Sequence, residues 1–293
     1  MPTGKIIKAI SGFYYVQDGE QIVQCRGRGV FRNRNITPLV GDFVHYKADN
    51  LSEGTILGID ERKNELVRPP IANIDQAILV FSSIEPNFSP GLLDRFLVQV
   101  EAKEITPLIC ISKIDLLEVQ ALRELEQYAA IYQQIGYVVV MLSSTTTAGI
   151  DALLPHLDGK VSVLAGQSGV GKSSLLNALD SSLDLETAEI STHLGRGRHT
   201  TRHVELLSIA DGFIADTPGF SSLDFEGVEA ESLGACFLEI AFHAQDCKFR
   251  GCLHLKEPAC AVKQAVEAGN IEQFRYQNYL QFLEEIKSRK PRY

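Results

Sequence analysis

The 293-residue chain contains no run of about 18 apolar residues, which excludes a helix of membrane-spanning length. Met1-Pro2-Thr3-Gly4-Lys5 leads into no long apolar signal region, so a soluble, cytoplasmic chain with no membrane partner is expected. Internal repeats and low-complexity tracts are absent too, so the chain is no repeat array. Cysteine is scarce: there are six, three of them grouped with a histidine, a pattern of metal binding and not of a secreted disulfide framework. Positive charge is also short, with 28 Lys and Arg against 37 Asp and Glu and a net charge of −9. A broad basic face for nucleic acid is therefore excluded, and any such surface must be confined to patches whose binding weakens with salt. What remains is a chain with 45% hydrophobic residues and mean hydropathy near zero, enough to bury the cores of two or three domains.

Within that chain, Gly166-Gln167-Ser168-Gly169-Val170-Gly171-Lys172-Ser173 fits the phosphate-cradling pattern G-x-x-x-x-G-K-[ST]. The apolar run Val161 to Ala165 before it reads as a buried strand, and Ser174 to Leu179 after it reads as the first turns of a helix. Glycines let the backbone curl so that successive N–H groups point inward, and the helix N-terminus adds partial positive charge. Residues 166–174 are thus the candidate phosphate site, with Lys172 reaching the β- and γ-phosphates and the Ser173 hydroxyl ligating Mg²⁺. A glycine-rich turn that merely precedes Lys-Ser is the plain alternative.

Downstream, Gly212 to Ala215 reads as a short strand ending in Asp216-Thr217-Pro218-Gly219, 44 residues after Lys172. Asp216 suits the Mg²⁺ shell, and the Gly219 N–H suits the γ-phosphate because glycine permits close backbone approach. Between them, Gly195-Arg196-Gly197-Arg198-His199-Thr200-Thr201 is a polar, flexible stretch that reads as a first switch, with a Thr hydroxyl closing onto Mg²⁺ while γ-phosphate is present; Thr200 is the candidate.

A base-reading element is missing after residue 224, where an ordinary GTPase would carry it. It lies upstream. The strand-like run Ile105 to Ile111 ends in Ser112-Lys113-Ile114-Asp115, and one carboxylate such as Asp115 can accept from both guanine N1–H and N2–H₂. Adenine offers no such pair, so the site should reject ATP by a factor on the order of 10⁴. A second run, Tyr137 to Leu142, ends in Ser143-Ser144, where a backbone N–H can meet the guanine oxygen. The order is base loop, second base loop, P-loop, first switch, second switch, which is a circular permutation of a GTPase.

These residues resemble the bacterial ribosome small subunit-dependent GTPase A family, through Gly197 to Thr201, Asp216 to Phe220, the permuted guanine motifs and the group Cys247, Cys252, His254 and Cys260. The resemblance covers nearly the whole chain. It implies an α/β P-loop GTPase domain, circularly permuted, between an N-terminal all-β OB-like barrel and a small C-terminal helical zinc-binding domain. It also implies conversion of GTP to GDP and phosphate, stimulated by the small ribosomal subunit in its late maturation, with that subunit and its rRNA as partners of a monomer. One position departs from the pattern. Ser112 stands where the family usually has an Asn that braces the base against the P-loop, which bears on guanine affinity. Phe220 occupies the place where many GTPases put a water-orienting Gln, so intrinsic turnover should be slow; the resemblance implies that a polar group from the first switch or from the ribosome completes the site, with His199 the candidate for positioning water and RNA contact or loop packing its plainer role. The alternatives are a GTP-gated RNA- or ribosome-binding module with negligible turnover and an ATP-using P-loop enzyme, the latter opposed by Asp115.

The expected division is 1–64, 65–223 and 224–293, with net charges of +2, −9 and −2. Five short β-like runs within 1–64 (6–10, 13–16, 21–25, 42–46 and 54–57) suit a small barrel, and the resemblance implies an OB-fold that binds RNA. Arg26, Arg28, Arg32 and Arg34 crowd one loop around Phe31, a phosphate and stacking surface or simply a solvated hairpin. Cys247, Cys252, His254 and Cys260 supply four ligands within fourteen residues, the number a closed structural zinc site requires, with His243 a less suitable substitute. The basic tail 287–292 reads either as a second RNA patch or as a frayed end. Because the permuted domain ends just after the second switch, the chain passes directly into the zinc-bearing segment, and GTP is expected to select one orientation of it.

Overall fold

A computed structural model describes residues 1–27, 31, 36–48, 50, 52–67, 69–183, 185, 204–216, 225 and 227–289, except for the side chains of Val67 and Asp216. The chain opens with β1 (Thr3–Ile10), β2 (Phe13–Asp18), β3 (Gln21–Gly27), β4 (Phe43–Ala48) and β5 (Glu53–Ile59), one for each run expected from sequence. They close in the order β1-β2-β3-β5-β4-β1, antiparallel except for β3 with β5. Alternation along these strands turns Ile6, Val16, Val23, Cys25, Val44, Tyr46 and Ile56 inward, and each is at most 3% exposed. Phe31, expected on a stacking surface, is instead 7% exposed and belongs to this core; its apolar ring is worth more filling the barrel than facing water. Arg26 lies over the Phe13 ring at 4.8 Å, while Arg28, Arg32 and Arg34 lie outside the described residues.

A short hairpin, β6 (Glu65–Val67) with β7 (Pro70–Ala72), leads into β8 (Gln76–Ser82), α1 (Pro90–Glu101), β9 (Thr106–Ser112), α2 (Val119–Ile135), β10 (Val138–Met141), α3 (Ile150–Leu153), β11 (Val161–Ala165), α4 (Lys172–Leu179), β12 (Val204–Ile209) and β13 (Gly212–Asp216). The sheet order is β10-β9-β8-β11-β13-β12, all parallel except β12. β8, β9 and β11 are near-continuous apolar runs because helices cover both faces of a parallel sheet. Ser89 caps α1 by accepting from the Leu92 N–H at 3.3 Å, and Gly136 ends α2 in the left-handed conformation. The chain runs from β8 outward to β10, then returns to place β11 on the other side of β8. That reversal makes the carboxyl edge between β8 and β11 a topological switch point, the place where open α/β sheets bind ligands.

The C-terminal unit comprises α5 (Leu238–Ala244), α6 (Ala261–Glu267) and α7 (Gln273–Ser288). Its core of Phe225, Leu233, Phe237, Ile240, Val262, Tyr279 and Phe282 also takes in Val98 of α1, so the unit is docked on a helix of the parallel sheet. At the junction Arg275, fully buried, donates to Asp94 of α1 (2.5 Å) and forks onto Glu239 of α5 (2.6 and 3.0 Å). Tyr132 of α2 and Asn278 complete the partners of Asp94, each at 2.6 Å. The basic tail, read as an RNA patch or a frayed end, is anchored at its start: Arg289 donates to the Phe225 carbonyl at 2.6 Å, whereas residues 290–293 lie outside the described residues. No helix among the described residues is long and apolar enough to cross a membrane.

Candidate nucleotide site and metal cluster

The parallel strands β8, β9, β10, β11 and β13 all deliver their following loops to one sheet edge, so the motifs that are scattered in sequence meet there. Between β11 and α4 the phosphate loop turns at Gly166 (φ 145°), Gly169 (φ 80°) and Gly171 (φ 92°). A Cβ on Gly166 would stand 2.2 Å from the Val80 carbonyl oxygen, so the loop's first glycine is demanded by strand β8 as well as by any phosphate. Lys172 opens α4, and its ammonium donates to the Gly166 and Gln167 carbonyls at 2.9 and 2.6 Å, which holds it over its own loop. Burial lowers its pKa. Ser173 follows in the first turn, nearly buried.

The base loop touches the phosphate loop directly. Ser112, 2% exposed at the end of β9, donates its hydroxyl proton to the Val170 carbonyl at 2.6 Å; the Phe81 carbonyl, at 3.1 Å, is the weaker competitor for that single proton. The serine thus braces one loop against the other, the task expected of an Asn at this position. Lys113 adopts φ 61° and its ammonium donates to the Glu85 carbonyl at 2.6 Å. Asp115 sits exposed in the short 3-10 turn of Ile114–Leu116. Sequence inspection missed Ser83: its N–H donates to the Ser112 carbonyl (3.0 Å) and its hydroxyl to the Lys113 carbonyl (2.9 Å), pinning the base loop to the end of β8. Nothing in the local pattern marks it, because its partners lie about 30 residues away.

The second base loop is bonded internally. Ser143 is fully buried, its N–H donates to the Ala148 carbonyl at 2.9 Å and its hydroxyl accepts from the Thr146 N–H at 3.1 Å. Ser143 therefore shapes the loop, and of the two serines only Ser144 keeps an N–H for a ligand. The strand pair β12 and β13 brings Asp216 to the same edge, with Glu205 as its cross-strand partner. His199, Thr200 and Gly219, like the rest of both switch motifs beyond Asp216, lie outside the described residues.

At the far end of the chain the ligand atoms of Cys247, Cys252, His254 and Cys260 lie within 4.8 Å of one another. Cys247 Sγ is 3.7 Å from His254 Nδ1 and 3.9 Å from Cys260 Sγ, and His254 Nδ1 is 3.3 Å from Cys260 Sγ. A tetrahedral zinc with its usual bond lengths would set such atoms roughly 3.5–3.8 Å apart, so the donor set suits that ion and the spacings among Cys247, His254 and Cys260 come close to it. Burial lowers the pKa of His254, favouring the neutral imidazole a metal needs. Tyr276 and Tyr279 of α7 donate to the His254 and Leu253 carbonyls at 2.6 and 2.9 Å, which ties the loop to α7, and Glu257 accepts from the Leu253 and Leu255 N–H groups within it. His243 is not in the cluster; it packs edge-on against Phe242.

Two family models match the chain: RsgA GTPase over residues 59–226 and RsgA N-terminal domain over residues 3–56. A Small ribosomal subunit biogenesis GTPase RsgA from Bacillus cereus (strain ATCC 10987 / NRS 248) is 63% identical over 293 residues, all of both chains. The protein of that name from Bacillus subtilis (strain 168) is 58% identical over 298 residues, again all of both. Among solved structures, YloQ, described as a circularly permuted GTPase, superposes with a TM-score of 0.88 at 54% identity, covering 100% of this chain and 97% of that one. YjeQ from Thermotoga maritima gives a TM-score of 0.88 at 37% identity, covering 99% of each. Permuted like its solved relative YloQ and matched from end to end by its curated relatives, the chain belongs to the RsgA GTPase family and is a GTP-hydrolysing enzyme.

Proposed function

We propose that the chain binds Mg²⁺·GTP across the carboxyl edge of its sheet and hydrolyses it to GDP and phosphate while engaged with the small ribosomal subunit, assisting that subunit's late maturation. The observation that carries this reading is the Ser112–Val170 hydrogen bond, because it joins the loop read as guanine-selecting to the loop read as phosphate-binding at one sheet edge. Its ribosomal part is supported by relatives named for small ribosomal subunit biogenesis, aligned over their whole length.

In this reading Asp115 accepts both guanine donors and the Ser144 N–H meets the guanine oxygen. Residues 166–174 wrap the phosphates, with Lys172 exchanging its two loop carbonyls for β- and γ-phosphate oxygens. Ser173, Thr200 and Asp216 would hold Mg²⁺, which when bound neutralises charge developing on the phosphates. The Gly219 N–H contacts the γ-phosphate, and His199 orients the attacking water in place of the apolar Phe220. Residues 1–64 form the rRNA-binding barrel, 65–223 the GTPase domain and 224–293 a helical domain organised by one structural zinc. The protein acts as a cytoplasmic monomer.

The test is GTP hydrolysis titrated with purified small subunits. Turnover is expected to be slow alone and to rise with subunit concentration; a rate indifferent to subunits refutes the ribosomal part of the proposal.

A further inference from the structure

Lys8, Glu205 and Asp216 form one row across three neighbouring strands. Lys8 of β1 is the Cα partner of Glu205 on β12, and Glu205 is the Cα partner of Asp216 on β13. The barrel and the GTPase sheet are therefore continuous, and the seam falls at the nucleotide edge. A bulge in β1 between Ile6 and Lys8 makes this geometry available. Before it, Thr3 to Lys5 pair with β4 and close the barrel; after it, Lys8 and Ala9 pair with Glu205 and Val204. One strand thus changes partner from the barrel to the GTPase sheet, which is what bulges accomplish at barrel rims.

Side chains reinforce the seam. The Lys8 ammonium lies 2.8 Å from the Glu205 carboxylate, with the two side chains 31% and 44% exposed. Lys5 stands between Phe43 of the barrel and Phe213 of β13, 5.0 and 5.1 Å from the ring centroids. The backbone register pairs two acidic residues, Glu205 with Asp216, and a cation on the outer side of Glu205 offsets the negative charge of that strand position. Lys8 is that cation. The first switch motif ends three residues before Val204, so the strand held by Lys8 is also the one that leaves that motif.

We propose that Lys8 is a positioning residue for the GTPase reaction. Through Glu205 it fixes the strand position opposite Asp216, so the barrel senses nucleotide state at the metal-proximal edge and, by linkage, a ligand on the barrel biases that edge. This rests on the reading that Mg²⁺·GTP binds there.

Hydrogen–deuterium exchange of the full chain tests it, read on the peptide covering residues 3–10 with Mg²⁺ and either GDP or a non-hydrolysable GTP analogue. In the wild type that peptide is expected to exchange at different rates with the two nucleotides. Lys8→Glu and Glu205→Lys each shrink the difference, by up to about fivefold given the strength of a partly exposed ion pair. Combining K8E with E205K restores it. Equal exchange in the wild type, single variants that keep the full difference, or a double variant no better than the singles would each overturn the proposal. Nucleotide affinity is measured on the same samples: loss of all guanine nucleotide binding overturns the underlying site as well, whereas tight binding with equal exchange overturns the coupling alone.

Discussion

Ser112 and Val170 stand 58 residues apart in the chain, yet the serine hydroxyl donates to the valine carbonyl across 2.6 Å in a buried setting. That bond is where the permuted halves of the proposed nucleotide site meet. Removing the hydroxyl leaves a buried carbonyl without its partner, a cost of about 1–3 kcal/mol. Ser112→Ala should therefore weaken GDP binding by roughly tenfold or more while preference over ADP persists, because Asp115 is untouched. Ser112→Thr, which keeps the hydroxyl, should lie near the wild type. Calorimetric titration of both variants with GDP and ADP checks this; an Ala variant with unchanged GDP affinity would remove the brace from the site.

Arg275 offers a second test. Replacing it with Met strands Asp94 and Glu239 beside each other in a buried junction, and breaking such a network from one side costs about 3–5 kcal/mol. Urea unfolding of Arg275→Met should show a loss of that size. The same junction refines the expected reorientation by GTP: α7 is tied to α1 by Arg275 and by the Arg95–Glu285 fork (2.9 and 2.6 Å), so any movement of the C-terminal unit must carry α1 with it. Cross-links between positions 95 and 285 should form equally with GDP and with a GTP analogue.

Metal removal should act locally. One zinc per chain is expected, and Cys260→Ala or a strong chelator should destabilise the loop 247–260 and the start of α6, since Cys260 sits at that helix's N-cap position. Guanine nucleotide binding should survive, because the cluster shares no residue with the carboxyl edge of the sheet. Metal analysis with limited proteolysis distinguishes the outcomes: a protease-resistant C-terminal unit without metal contradicts a structural role.

Short-range features were legible in the sequence and long-range ones were not. The five barrel strands, the strand–loop–helix around Lys172 and the cluster of Cys247, Cys252, His254 and Cys260 each announce themselves through alternation or spacing within a few residues. The permutation was legible too, as an order of motifs. Phe31 was misread because a lone aromatic among arginines looks the same on a surface or plugging a barrel; burial is decided by strands that arrive later in the chain. Ser143 was read as a donor, but its N–H is consumed by Ala148 in a loop whose closure no motif specifies. Arg275 and Asp94 are 181 residues apart, and neither carries a local sign of the other.

The decisive measurement exchanges the base. Asn at position 115 keeps an oxygen to accept from N1–H but presents an NH₂ toward the second guanine donor, whereas xanthine offers an oxygen there. Asp115→Asn should lose GDP affinity by a factor on the order of 10² or more and gain xanthosine diphosphate affinity, with Lys172 still required for either ligand. Unchanged GDP binding by Asp115→Asn would mean that Asp115 and Lys172 do not serve one nucleotide.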